Sequence, residues 1–203
     1  MTLISATSSI AWQLQQDPIS STKRSIEIDQ LLMNDALQKV GKTFSVVIGE
    51  VQTHRANRSR LINLALKQVT LPEALNQLVK ADPNYTWEFG SDGAVRVHSI
   101  EAPPAVEDVI LFGYSIDNLY RREVSQRLDE QAEIQTWLRE HGCKRTEYSL
   151  GHDWEDDKTR ISFHTTGKTL RENLDITALK AGTYYWSISR LGDFSDCEIS
   201  IKL

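Results

Sequence analysis

Thr70-Leu71-Pro72-Glu73-Ala74-Leu75, with Tyr85 and Trp87 downstream, is the stretch whose reading decides the fold. It returns 99 residues later as Thr169-Leu170-Arg171-Glu172-Asn173-Leu174, followed by Tyr184 and Trp186. Upstream, Ile62 falls on Ile161 and Leu64 on Phe163 at the same offset. Thr-x-x-Glu ahead of an apolar run is a capping box. The threonine hydroxyl accepts the amide three residues on, and the glutamate reaches back to the threonine amide. Pro72 fits the first helical turn, where a missing N–H costs little. Leu71, Ala74, Leu75, Leu78 and Val79 then recur at helical spacing, which gives a helix with one apolar stripe. The second copy is weaker: Leu170, Leu174 and Ala178 share a face, while Ile176 and Leu179 fall off it. An apolar stretch precedes each helix, and an alternating Tyr-x-Trp follows it, both strand signals. Trp87 and Trp186 read as core packing rather than ligand stacking.

Outward from this pair, the elements fall in the same order in both halves. In the first, residues 24–28 alternate as a strand, and 31–40 carry a helical stripe that Gly41 is expected to cap. Residues 44–48 are a β-branched strand, and 52–60 form a polar loop. A strand at 62–66, a helix at 71–81 and a hairpin of 85–89 with 94–98 follow, the hairpin turning through Gly90-Ser91-Asp92-Gly93. In the second half the strands are expected at 109–114, 145–150, 160–165, 183–189 and 196–202. One long charged helix is expected over 118–141, another helix over 170–181, and a polar loop over 151–160. The chain is therefore read as α+β, two tandem β-α-β-β-α-β-β units. An N-terminal arm takes residues 1–23, the first unit 24–100, a linker bearing Pro103 and Pro104 residues 101–107, and a more divergent second unit 108–203.

Composition narrows the function classes. The 203 residues are 40% hydrophobic and 25% charged, ordinary for a globular protein. Residues 1–101 hold 10 basic and 10 acidic side chains, and residues 102–203 hold 13 and 18, so the second half supplies the whole net charge of -5. That balance argues against a general nucleic-acid binder. No apolar run is long enough to cross a bilayer as a helix. The first nine residues lack a basic n-region and an apolar h-region, so they are not read as a secretory signal. Cys143 and Cys197 leave two readings open: one disulfide in an exported protein, or two unrelated buried thiols.

The first half also resembles a known family. The residues that carry the likeness are Ile28-Asp29-Gln30-Leu31-Leu32-Met33-Asn34-Asp35-Ala36-Leu37, then Phe44-Ser45-Val46-Val47-Ile48, then Leu64-Ala65-Leu66-Lys67-Gln68-Val69-Thr70-Leu71-Pro72-Glu73-Ala74-Leu75, and last Tyr85-Thr86-Trp87 and Val95-Arg96-Val97. Together they look like the secretin and TonB short N-terminal domain, over residues 24–99. The second half is similar in element order, but Asn173 stands where the first copy has Ala74. The resemblance implies two helices packed between two small sheets and a binding or assembly module of the bacterial periplasm. Such domains contact partner proteins at the periplasmic end of secretin channels or outer-membrane receptors, and they contribute no catalytic residues and no cofactor. No secretin ring or receptor barrel follows within these residues, so the machine served stays open.

The loops between the second and third strands carry the candidate contacts. His54, Arg55, Arg58 and Arg60 make the first loop basic. Asp153, Trp154, Glu155, Asp156 and Asp157 make the second acidic. Opposite charges on equivalent loops suit docking of one copy on another, within the chain or head to tail between chains. The simpler reading is two solvated surface loops. His152, Asp153 and Glu155 are weak metal-ligand candidates, because a metal needs three or more ligands in fixed geometry. A metal-dependent hydrolase built on His152 and Asp153 is a lesser alternative. Glycan or small-molecule binding through Trp12, Trp137 or Trp154 is another. The sequence has no His-x-x-x-His, Cys-x-x-Cys, glycine-rich phosphate loop or Gly-x-Ser-x-Gly elbow. A protein partner, self-association included, is the expected one, with no nucleic acid and no cofactor.

Overall fold

The computed structural model of the chain describes residues 21–53, 60–90, 93–100, 105–146, 159–191 and 197–203. The first half runs β1 (Arg24–Leu31), α1 (Met33–Phe44), β2 (Ile48–Gln52), β3 (Ile62–Val69), α2 (Leu71–Ala81), β4 (Tyr85–Phe89) and β5 (Val95–Ser99). After a 3-10 turn at Val106–Asp108, the second half runs β6 (Ile110–Leu111), β7 (Tyr114–Tyr120), α3 (Arg121–Asp129), α4 (Ala132–Glu140), β8 (Cys143–Arg145), β9 (Arg160–Thr165), β10 (Lys168–Thr169), α5 (Leu170–Ala181), β11 (Tyr185–Leu191) and β12 (Cys197–Lys202). The fold is mixed α+β.

Both capping boxes form. The Thr70 amide donates to Glu73 Oε2 at 2.7 Å, and the Glu73 amide donates to Thr70 Oγ1 at 3.4 Å. Ahead of α5 the same bonds join Thr169 and Glu172, at 2.8 and 3.3 Å. The Thr70 amide and hydroxyl hold the Glu73 carboxyl below its usual value. Burial pushes Glu172 up, but the Thr169 amide, Lys168 and the Thr169 hydroxyl together pull it below.

Apart from a short antiparallel pair of β6 with β10 in the second half, each half pairs its strands in the same pattern. β1 pairs antiparallel with β3, and β7 with β9. Both outer strands carry a bulge at a left-handed residue, Gln30 (φ 48) and Asn118 (φ 54). The Gln30 amide donates to Asn63 Oδ1 at 2.9 Å and the Asn118 amide to Ser162 Oγ at 2.8 Å, so a side chain of the partner strand replaces the lost ladder bond. In the first half β4 is antiparallel to β5, and β5 is parallel to β2. In the second, β11 is antiparallel to β12, and β12 is parallel to β8. The two triplets are not separate: β2 lies parallel to β11, with Ile48 opposite Tyr185 and Gln52 opposite Ser189. The result is one six-stranded sheet in the order β4-β5-β2-β11-β12-β8.

Strand alternation puts the two cores on opposite faces of this sheet. Ile48, Tyr85, Val95 and Val97 point to one face, where α1, α2 and the β1–β3 ribbon cover them. Trp186, Ile188, Ile199 and Ile201 point to the other, under the helices of the second half. The cores interlock across the seam, since Tyr185 packs with the first-half cluster and Val51 with the second.

Several local expectations shift. The strand expected at 109–114 is instead two, Ile110–Leu111 and Tyr114–Tyr120, so the next helix starts at Arg121. The strand expected at 183–189 runs Tyr185–Leu191, because Tyr184 is left-handed (φ 55). The first helix runs through Gly41 to Phe44, which is buried, and Ser45 (φ 56) takes the left-handed cap instead. Gly41 serves close packing: a Cβ there would lie 2.5 Å from the Tyr184 carbonyl oxygen. The strand expected at 44–48 therefore starts only at Ile48. The helix expected over 118–141 is two helices with a break at Glu130 and Gln131. Val124 and Leu128 face the core, as do Ile134 and Leu138. Six residues of straight helix would turn Ile134 about 120° away from Leu128, and the break brings both pairs onto one core. The strand expected at 145–150 starts earlier, at Cys143, and 147–150 fall outside the described residues.

Gly49 sits directly under Trp186, and an added Cβ would come within 2.8 Å of Trp186 Cη2. Gly49→Ala is expected to cost about 1–3 kcal/mol by overpacking, read as a lower urea midpoint. Thr169→Ala is expected to cost about 1 kcal/mol near neutral pH. Because the capping carboxyls Glu73 and Glu172 titrate below their unfolded values, their stabilisation is complete above the ordinary glutamate range. It is lost as the pH falls through their lowered values. The penalty of Thr169→Ala should therefore shrink only in part in acid-unfolding series taken below that range, because the hydroxyl still accepts the Glu172 amide after the carboxyl is protonated.

Candidate functional site

The seam between β2 and β11 gathers the most organised polar chemistry among the described residues. On the face that carries Trp186, Arg96 projects from β5 between the core valines Val95 and Val97. Its Nη2 donates to Asp175 Oδ2 at 2.6 Å, and its Nη1 donates to Asp175 Oδ1 and to the Val95 carbonyl, both at 3.3 Å. Asp175 lies on α5, so this ion pair ties one half to the other. Its side chains are only 6% and 16% exposed. Asp175 Oδ1 also accepts the Trp186 Nε1–H at 2.6 Å. The Arg96 guanidinium lies 5.7 Å from the Trp186 ring centroid, within cation–π range. Trp186 itself is fully buried.

On the opposite face the Tyr185 hydroxyl donates to Glu50 Oε2, and both groups are buried. Gln52 Nε2 donates across the seam to Ser189 Oγ at 2.9 Å, and the Tyr85 hydroxyl donates to Gln52 Oε1 at 3.4 Å. Burial, then the charge and acceptor of Glu50, push the Tyr185 hydroxyl well above the usual phenol value. Tyr185 therefore stays protonated and donates to Glu50. Glu50 has no exposed surface, so these groups fix strand register rather than meet a substrate.

Beside the 3-10 turn, burial raises the Glu107 carboxyl; its own amide, Arg171 and Arg96 oppose the rise without cancelling it. Arg171 is ion-paired with Asp108. Between β7 and α3 runs an open groove of about 340 Å³, lined by Ser115, Asp117, Leu119, Glu123, Gln126, Arg127 and Glu130. Its charges are largely spent within the fold. Glu123 accepts the Tyr120 amide at 2.7 Å, Arg127 pairs with Glu130 at 2.5 Å, and Asp117 accepts the Ser162 hydroxyl at 3.4 Å.

The loop candidates His54, Arg55 and Arg58, and His152, Asp153, Trp154, Glu155, Asp156 and Asp157, lie outside the described residues, as does Trp12. Arg60 is exposed just ahead of β3. Trp137 is half-buried against the second core and stacks on the His141 ring at 4.0 Å. Trp87 is half-buried on the first core, with its Nε1–H donating to Asn76 Oδ1 at 2.9 Å. Cys143 and Cys197 form a disulfide between directly paired residues of β8 and β12, with Cα atoms 4.5 Å apart. Among the described residues no group of three His, Cys, Asp or Glu could hold a metal ion, and no helix is long and apolar enough to cross a membrane. Compared with known proteins, the chain matches no family model, no curated protein and no solved structure.

Sequence reasoning missed Glu50, Arg96 and Asp175. The signal was a charge inside each of two β-branched runs, Ile48-Gly49-Glu50-Val51 and Val95-Arg96-Val97. Alternation sends Arg96 away from its own core, but α5 of the other half buries that face. Arg96→Ala and Asp175→Ala are each expected to cost about 3 kcal/mol or more, because each leaves a buried partner uncompensated. The double variant Arg96→Met/Asp175→Leu is expected to recover most of that loss, so a urea-unfolding cycle should return a large coupling energy.

Proposed function

We propose that this protein is a non-catalytic interaction and assembly module of the bacterial cell envelope, similar in role to the secretin and TonB short N-terminal domains. The observation that carries the reading is the seam. The halves join edge to edge through β2 and β11, locked by Arg96, Asp175 and Trp186. This makes one wide sheet from both halves, a scaffold that suits docking more than chemistry. The Cys143–Cys197 disulfide supports an oxidising compartment outside the cytosol. The strand-pairing pattern common to the two halves supports their origin as one unit used twice. In this reading the basic segment with His54, Arg55, Arg58 and Arg60 and the acidic segment from Asp153 to Asp157 supply charge-steered contacts to a protein partner.

Expressed from its own gene, the protein should fractionate with the envelope, with Cys143 and Cys197 resistant to thiol alkylation. Cross-linking should hold it in a protein complex that Arg55→Glu with Arg58→Glu weakens, more at low salt than at high. Recovery in the cytosol with both thiols reactive would overturn the reading.

A further inference from the structure

We infer that copies of this chain join head to tail through their sheets, with the open edge of β4 receiving β8 of the next copy in parallel pairing. The inference rests on the reading of the chain as an assembly module and names its contact.

The template lies inside the molecule. β4 is to β5 what β11 is to β12, and β2 is to β5 what β8 is to β12. The edge of β11 away from β12 is occupied by β2. The equivalent edge of β4 has no paired strand among the described residues. The directions agree as well. β5, β2 and β11 run one way and β4, β12 and β8 the other. A second copy shifted along the hydrogen-bonding direction therefore lays β8 parallel to β4, as β2 lies parallel to β11. This contact is heterologous, so it builds a ring or an open array rather than a two-fold dimer. Six strands per copy give an axial repeat of about 29 Å before sheet twist is added.

The β4 edge is suited to the contact. The Gly90 amide donates to Ala94 and the Ile100 amide to Asn84. With Thr86 opposite His98 and Glu88 opposite Arg96, even-numbered β4 residues bond toward β5. The amides and carbonyls of Trp87 and Phe89 face the other side. Their rings stack edge to face at 5.3 Å, and Phe89 is 40% exposed. Glu88 on β4 and Arg145 on β8 have opposite charge and lie on the same sheet face, the one that carries Trp186. That favours this edge pair over a like-with-like contact of two β4 strands, which would also run antiparallel.

The test is sedimentation of the intact, oxidised chain from low to high micromolar concentration, with amide exchange read at both ends. Mass should rise with concentration without stopping at a dimer. The Trp87 and Phe89 amides should exchange about tenfold more slowly in the assembled sample. Phe89→Pro removes an amide that β5 does not use and should hold the chain monomeric with its far-ultraviolet circular dichroism unchanged. Phe89→Lys keeps the backbone amide, adds an edge charge and should weaken assembly severalfold. The inference is overturned by a chain that stays monomeric throughout, by Trp87 and Phe89 amides that exchange equally in both samples, or by Phe89→Lys assembling like the parent. An envelope partner bound by a chain that remains monomeric would leave the proposed function standing and remove this contact alone.

Discussion

The parallel pairing of β2 with β11 is the constraint on which the rest of the architecture depends. It takes two strand triplets that would each end in bare edges and makes them one sheet. Edge strands left open are a liability, and pairing them with each other covers two of the four. The seam demands Gly49, because the Trp186 ring occupies the space a side chain would need. It also places Asp175 where one carboxylate accepts from both Arg96 and Trp186. A buried ion pair of this kind adds little net stability against an apolar alternative, but it penalises any arrangement that separates its members. Its role here is register between the halves.

The seam has a second consequence. Because the cores lie on opposite faces, each half shields part of the other's exposed sheet surface. Arg96 belongs to the solvent face of the first triplet and is nevertheless buried under α5. Glu50 belongs to the core face of β2, and its Oε2 accepts from Tyr185, a residue of the second half. Neither side chain has a sensible environment in its own half alone. The halves are coupled at the level of side-chain solvation as well as backbone pairing.

Much of the fold was legible from short-range signals. The capping boxes at Thr70 and Thr169, the stripe of Leu71, Ala74, Leu75 and Leu78, and the alternation around Trp87 and Trp186 all act within a turn or two of chain. The helix break at Glu130 was less legible. Charged residues on both sides fit one helix, and only the shared core position of Leu128 and Ile134 separates the two. The candidate site was least legible. A charge between valines reads as a solvent-facing strand residue, and nothing nearby in sequence announces the helix that will cover Arg96.

By itself the sequence determined the α+β class, the element order of the first half, the two capped helices and the apolar faces they bury. These follow from local hydrogen bonding and side-chain periodicity. Only the tertiary structure decided that Cys143 and Cys197 share a bond, that the triplets fuse at β2 and β11, and that the cores face opposite ways. Those outcomes hang on contacts between residues far apart in the chain, such as Tyr185 with Glu50 at a separation of 135 and Gln52 with Ser189 at 137. Pairing at that distance is selected by which edges and faces remain uncovered after local structure has formed, and no local pattern encodes it.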